Sequence, residues 1–274
     1  MTTTYLITGA AGSLGSILVK KLSVDEDNII RAFDIDEYGL SALPKGDNIR
    51  KILGSVANAQ QVTRAAHGVD VVIHCAAMKN LDISEYNVQP LIETNVTGTY
   101  NVAMACQVCL VKTAVFISSD KATSGLSTYG VTKLLGERIW QWAHRTSPGT
   151  RFVTMRSGNF CTSRGNVFEV WCRQIRANET PTITDPEMRR YFIKTEKVAC
   201  LVIKILRDNV NCPSGTVIVP KMKEYKIIEI FRKYWPDYEY KIVGSREGET
   251  LREELLCKLD NVIAEFPDIV VVRP

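Results

Sequence analysis

This chain has no run of lysine or arginine, no apolar stretch long enough to cross a bilayer, no internal repeat and no low-complexity segment. The first absence excludes a basic nucleic-acid-binding tail, and a formal charge of +4 is too mild to replace one. The second excludes a spanning helix, because the apolar stretch from Val69 to Met78 is short and is interrupted by Asp70 and His74. The start, Met1-Thr2-Thr3-Thr4-Tyr5, has no basic n-region, so no secretory signal is expected and the expected location is the cytoplasm. Eight cysteines are scattered along the chain. Cys106-Gln107-Val108-Cys109 has no companion Cys or His pair, so reduced thiols and no metal are expected. What is left, 45% hydrophobic and 23% charged residues, is the balance of a soluble folded protein with a sizeable core.

Strand-like runs alternate with helical patterns through the first part: Tyr5 to Thr8, Ser13 to Leu22, Ile29 to Asp34, Asp70 to Cys75, Pro90 to Val108, Ala114 to Ser118, Tyr129 to Arg145 and Phe152 to Arg156. That rhythm predicts an α/β fold of Rossmann type, a doubly wound parallel sheet with helices on both faces. After Arg156 the regularity is lost, and a smaller discontinuous α/β substrate lobe is expected. The expected division gives residues 1–157 and 194–220 to the dinucleotide-binding part, and 158–193 and 221–274 to the second lobe.

The strand Tyr5 to Thr8 runs into Gly9-Ala10-Ala11-Gly12-Ser13-Leu14-Gly15 and then an apolar helix. This GxxGxxG spacing suits a pyrophosphate: the glycines admit close backbone approach, and the helix start offers amides and a favourable dipole. The second strand ends at Asp34, whose carboxylate suits ribose hydroxyls and repels a 2′-phosphate. Ile35 follows where a phosphate-binding arginine would be expected, so NAD is expected rather than NADP. Ala76 and Ala77, in Cys75-Ala76-Ala77-Met78-Lys79, are small enough for a loop to lie against a flat cofactor. His74 closes a buried strand and reads as structural, and Asn95 reads as a scaffold residue inside a helix, bonded to a neighbouring strand.

The densest chemistry lies in Phe116-Ile117-Ser118-Ser119-Asp120-Lys121 and Tyr129-Gly130-Val131-Thr132-Lys133. Tyr129 and Lys133 share one helix face, and a neighbouring ammonium favours a phenolate. Asp120 and Lys121 add a second acid and a second base at the carboxyl end of a central strand, where open α/β sheets bind ligands.

Together, the glycine loop, Asp34, the Cys75-Ala76-Ala77 loop, Asn95 and Tyr129-x-x-x-Lys133 resemble the extended short-chain dehydrogenase/reductases. With Ser84-Glu85-Tyr86-Asn87, Ser119-Asp120-Lys121, Arg156-Ser157-Gly158-Asn159, Met188-Arg189-Arg190 and Arg246-Glu247-Gly248-Glu249, the chain resembles their UDP-N-acetylglucosamine 4,6-dehydratase branch, which includes inverting enzymes. The resemblance covers nearly the whole chain. Departures are Ser119 for the usual threonine, Ser55 for an aspartate that contacts adenine, Asp34-Ile35 where several relatives carry Ser-Arg, and a shorter tail.

The resemblance implies that Gly9, Gly12, Ser13, Leu14, Gly15, Asp34, Ser55, Val56, Ala76, Ala77, Lys79, Asn95, Tyr129 and Lys133 hold the cofactor. It implies that Ser119, Asp120, Lys121, Tyr129 and Lys133 carry catalysis. In that scheme Lys133 holds Tyr129 as phenolate to take the C4 hydroxyl proton, Lys121 takes the C5 proton, and Asp120 protonates the leaving C6 hydroxyl. Lys79, Asn159, Arg164, Arg189, Arg246 and Glu249 are the expected contacts to a UDP-sugar, with the arginines matched to phosphate oxygens. A homo-oligomer is implied, and neither nucleic acid nor membrane is an expected partner. A 4-epimerase, a 4-ketoreductase and a non-catalytic NAD-sensing regulator stay open as other readings.

Overall fold

Alternating β-rich and helix-rich segments fold back on one sheet because each crossover helix buries an apolar face on it. In the computed structural model, which describes residues 2–207 and 212–274, the first half runs β1 (Thr3–Thr8), α1 (Ser13–Leu22), β2 (Asn28–Asp34), α2 (Glu37–Ser41), β3 (Ile49–Leu53), α3 (Ala59–Ala66), β4 (Val71–His74), α4 (Leu81–Tyr86) and α5 (Val88–Ile92). A π-helical turn, Glu93–Thr97, leads into α6 (Gly98–Val108), followed by β5 (Thr113–Ser119), α7 (Lys121–Ser124), α8 (Thr128–Thr146) and β6 (Arg151–Ser157). The second half contains β7 (Asn159–Phe160), α9 (Val167–Arg176), β8 (Thr182–Ile183), β9 (Arg189–Ile193), α10 (Thr195–Arg207) and β10 (Thr216–Pro220). It continues with β11 (Lys223–Lys226), α11 (Ile227–Tyr234), β12 (Lys241–Ile242), β13 (Asn261–Glu265) and β14 (Ile269–Arg273).

The main sheet has nine strands in the order β13-β14-β10-β6-β5-β4-β1-β2-β3. From β3 to β10 the pairs are parallel, and the order reverses between β1 and β4, where a doubly wound sheet opens a crevice at its carboxyl edge. Ile7, Ile73, Val115 and Met155 bury one face of this sheet against α1 and α10, and Leu6, Val72, Phe116 and Phe152 bury the other against α6 and α8. The Rossmann-type expectation matches this architecture.

The boundary drawn at residue 221 does not. The antiparallel strands β14 and β13 pair onto β10 and extend the main sheet, so residues 261–274 do not stand apart with the second lobe. The stretch Ile269 to Arg273 is nearly continuous in apolar residues, and Val271 and Val272 are fully buried there. Burial on the sheet, not proximity in sequence to the irregular region, decides its place. A three-stranded sheet, β11-β9-β7, and a separate aromatic cluster around Trp171 and Phe231 build the region beside the crevice. Among the described residues, no helix is long and apolar enough to cross a membrane.

Candidate active site

The turn after β1 is pressed against the loop after β4. Gly9 has φ of +67°, and a Cβ there would lie 2.6 Å from the Ala76 amide nitrogen. At Gly15 a Cβ would lie 2.1 Å from the Gly9 carbonyl oxygen, so helix α1 starts directly under the turn. No side chain caps α1 at Gly12, which leaves its first amides free for an anion. A cleft of about 570 Å³ runs from this turn past Ala76 and Ala77 to Asp34, Ser55 and Val56. Asp34 accepts the Ala11 amide at 2.8 Å and the Asp36 amide at 3.0 Å, which fixes its carboxylate at the far end of the cleft. A glycine cradle with free helix amides at one end and a fixed carboxylate at the other fits an elongated dinucleotide.

An inner compartment of about 230 Å³ shares Gly9, Gly12, Cys75 and Ala77 with the outer one. Ser13, Leu14, Gly15, Lys79, Ser119, Lys121, Tyr129, Lys133 and Asn159 also line it. Tyr129 and Lys133 arrive on the first turns of α8, whose start is capped by Ser127 accepting the Gly130 amide at 3.0 Å. Lys133 donates to the Ile117 carbonyl at 2.5 Å and lies over the Phe116 ring, 4.2 Å from its centroid. Burial lowers its pKa to about 8. Burial pushes the Tyr129 phenol up to about 12, opposed first by the Lys121 ammonium and then by a hydrogen bond with Ser119. The cation expected to act on Tyr129 was Lys133. Lys133 donates to a main-chain carbonyl, though it lines the same compartment, and the ammonium that most opposes the rise at Tyr129 is that of Lys121.

Asp120 is almost fully buried and forms no part of the cleft wall. Its Oδ1 accepts the Ser119 hydroxyl at 2.9 Å and Lys121 Nζ at 3.3 Å, while Oδ2 has no hydrogen-bond partner. Lys121 also meets Glu253 Oε1 at 3.5 Å. Burial pulls the Lys121 pKa down, but Asp120 and Glu253 outweigh it and leave the group raised. The ammonium form therefore persists in the resting site.

Other expected contacts fall elsewhere. Asn95 lines neither compartment: buried in the π-helical turn, it accepts the Met78 amide at 2.8 Å and donates to the Met78 carbonyl and to Thr132. It therefore shapes the loop after β4, as a carboxamide able to satisfy both Met78 groups would. Arg164, expected at the sugar, lies at the outer compartment with its guanidinium 3.7 Å from Asp36. Its loop crosses the glycine turn, where the Arg164 amide donates to Ser13 Oγ at 3.0 Å and its carbonyl accepts Lys79 Nζ at 2.9 Å. Arg189 pairs with Glu224 at 3.4 Å and Arg246 with Asp82 at 3.3 Å, while Glu249 accepts the Arg246 amide at 3.0 Å. None of these three lines either compartment, and each meets a nearby partner of opposite charge or polarity. Asn159 does line the inner one, its amide donating to the Tyr191 carbonyl at 3.3 Å.

Residues 5–274 match the polysaccharide biosynthesis protein family. The chain belongs to that family. It is an extended short-chain dehydrogenase/reductase, an enzyme of the nucleotide-sugar dehydratase and epimerase group. It is 32% identical to a UDP-N-acetylglucosamine 4,6-dehydratase (inverting) of Campylobacter jejuni, across 98% of this chain and 82% of that protein. It is 30% identical to a UDP-glucose 4-epimerase of Rickettsia massiliae, across 92% of this chain and 77% of that one. The solved structure of Pen from Bacillus thuringiensis superposes with a TM-score of 0.89 at 30% identity, covering 99% of this chain and 88% of that one.

In this polysaccharide biosynthesis family member, two charged residues beside Lys121 escape a reading of the sequence. Glu253 is buried, and Arg190 Nη2 lies 4.0 Å from Glu253 Oε1. Neither sits in a spaced motif with Lys121, and Glu253 lies in a charged stretch, Arg252-Glu253-Glu254, that looks like solvated surface. The only local sign is the apolar Leu251 and Leu255 flanking it.

Proposed function

We propose that this protein is a 4,6-dehydratase of UDP-N-acetylglucosamine, forming a UDP-4-keto-6-deoxy-hexosamine for surface glycan synthesis with NAD as its resident cofactor. One observation carries the reading: Lys121 stands on the cleft wall beside Tyr129, with its ammonium 3.3 Å from a buried Asp120 carboxylate. A simple dehydrogenase needs the tyrosine and its lysine, and has no use for a further acid–base pair at this point.

The glycine turn, Asp34 and the Ala76-Ala77 loop would hold NAD in the outer compartment, where it would accept hydride from sugar C4 and give it back at C6. Tyr129 takes the C4 hydroxyl proton as its phenolate, a form that burial disfavours and that the Lys121 ammonium alongside partly recovers. The C4 ketone that results acidifies the C5 hydrogen. A proton shift from Lys121 Nζ to Asp120 arms both groups without any proton entering or leaving. Lys121 then takes the C5 proton. Asp120 releases its proton to the C6 oxygen by way of the Ser119 hydroxyl, which stands between it and the cleft. The C6–O bond breaks and water departs, leaving Asp120 a carboxylate and Lys121 an ammonium, as in the resting pair. Lys121 returns its proton to C5 as C6 is reduced and is recharged by the C4 hydroxyl proton held on Tyr129, which restores the phenolate and the ammonium with no net redox change.

A positioned acid or base is worth about 10²–10⁴-fold in rate. Lys121→Ala protein incubated with UDP-N-acetylglucosamine should therefore lose turnover by that order, and full turnover would sink the assignment. For the wild type, an NMR time course in deuterated water should show loss of water and exchange at C5, and it reads directly whether C5 is inverted. A product of unchanged mass with an axial C4 hydroxyl would instead mark a 4-epimerase.

A further inference from the structure

Lys121 is held by more than its sequence neighbour. The segment after Glu249 runs beside β9, with the Arg189 amide donating to the Leu251 carbonyl at 2.7 Å. Thr123, on the same short helix as Lys121, donates to the Glu254 carbonyl at 2.8 Å. These two anchors set Glu253 between them. Its side chain is about 2% exposed, its Oε1 lies 3.5 Å from Lys121 Nζ, and its Oε2 is buried without a partner. Leaving a carboxylate oxygen in the interior without hydrogen bonds is costly, and such groups concentrate where chemistry needs them.

We infer that Glu253 is the positioning residue of the Lys121 base, a carboxylate that fixes Nζ at the cleft wall opposite Asp120 and governs its protonation. The inference rests on the acid–base role proposed for Lys121. The charged and titratable groups facing that ammonium are Asp120, Glu253, Arg190 and the Tyr129 phenol. Asp120 and Glu253 approach Nζ from separate segments of the chain, so the amine is held from two sides rather than swinging on a flexible stem. Glu253 lines neither compartment and meets the site at Lys121 Nζ, so it acts through Lys121. Its charge favours the ammonium, which serves Tyr129 in the first step. Asp120 remains the acceptor that frees the amine for the second.

The experiment labels the lysines of the full-length protein with carbon-13 at Cε and nitrogen-15 at Nζ, identifies the Lys121 signal by its loss in Lys121→Arg, and titrates it in wild type and Glu253→Gln. Removing a facing anion disfavours the ammonium, so the Lys121 midpoint should move to lower pH in Glu253→Gln. The basic limb of the turnover profile should move with it. Misplacing a reacting group costs up to about 10²-fold, so kcat should fall by that order while KM for UDP-N-acetylglucosamine changes little. Glu253→Asp should show a smaller shift in the same direction and a partial return of kcat, and it serves as the reporter if the glutamine variant melts early. A Lys121 midpoint unmoved in a folded Glu253 variant overturns the inference, as does a moved midpoint with kcat unchanged. The titration needs no turnover, so wild-type protein that leaves UDP-N-acetylglucosamine untouched counts against the dehydratase reading and not against the hold of Glu253 on Lys121.

Discussion

Arg156 on β6 and Glu137 on α8 form a buried ion pair, 2.7 Å from Nη2 to Oε2, with each side chain no more than 3% exposed. Glu137 also accepts the Ser118 hydroxyl at 2.6 Å, and Arg156 reaches Asp260 at 2.5 Å in the segment before β13. One guanidinium thereby ties together the strand that ends at Ser119, the helix that carries Tyr129 and Lys133, and the tail. Burial disfavours the charged guanidinium, but Glu137 and Asp260 more than offset it and raise the Arg156 pKa.

Removing one partner of such a buried pair strands the others, at a cost of about 3–5 kcal/mol. Arg156→Met should lower unfolding stability by that order in urea melts, and Glu137→Gln should cost nearly as much. A double replacement by apolar residues should be less damaging than either single change. Equal losses in all three would show that packing, not uncompensated charge, sets the cost.

The glycine turn makes a sharper demand. A methyl group at Gly15 must push into the Gly9 carbonyl, which lies 2.1 Å from where it would sit. Overpacking of this kind costs about 1–3 kcal/mol. Gly15→Ala should weaken NAD binding about 10–100-fold by calorimetry, while the sheet remains folded by circular dichroism. Unchanged affinity would remove this turn from the dinucleotide site.

His74 sits between the Thr8 and Thr99 hydroxyls at 2.7 Å and 3.0 Å, stacked against Phe116 and Trp140. Burial lowers its pKa to about 3. An unfolded histidine gains its proton near pH 6.5, whereas the folded one stays neutral until about pH 3. The unfolded state therefore binds more protons in that window, and stability must fall as pH drops through it, by up to about 1.4 kcal/mol per pH unit. Unfolding free energies at pH 7, 6 and 5 should fall more steeply for wild type than for His74→Gln. Parallel slopes would contradict the buried neutral imidazole.

The sheet was legible because its signals are local. Period-2 and period-3.6 patterns mark β1, α1 and β2, and the glycine spacing between them says what the turn is for. Ser119, Asp120, Lys121, Tyr129 and Lys133 were legible as a cluster for the same reason: they lie within fifteen residues of one another at one sheet edge. What escaped is whatever depends on side-chain direction or on distant segments. Arg189 and Arg246 look like free phosphate-binding cations until Glu224 and Asp82 are placed beside them. Arg164 was expected at the sugar, but its loop crosses the glycine turn and faces Asp36. Glu253 follows Lys121 by more than a hundred residues with no spacing rule to join them. The edge strands β13 and β14 were assigned to the wrong unit because the irregular chain before them hides a return to the main sheet.

The tail bridges two levels of stability. Its strands rest on the edge of the sheet, yet its connecting segment supplies Asp260 to Arg156 and Glu253 to Lys121. The cofactor cleft is built wholly from earlier residues. Partial opening of the tail, or a proteolytic nick between Arg246 and Asp260, would therefore leave a protein that still captures dinucleotide but has lost one of the two carboxylates holding its lysine. Such a species would look intact by cofactor binding and idle by turnover, so the two assays together report on the tail rather than on the sheet.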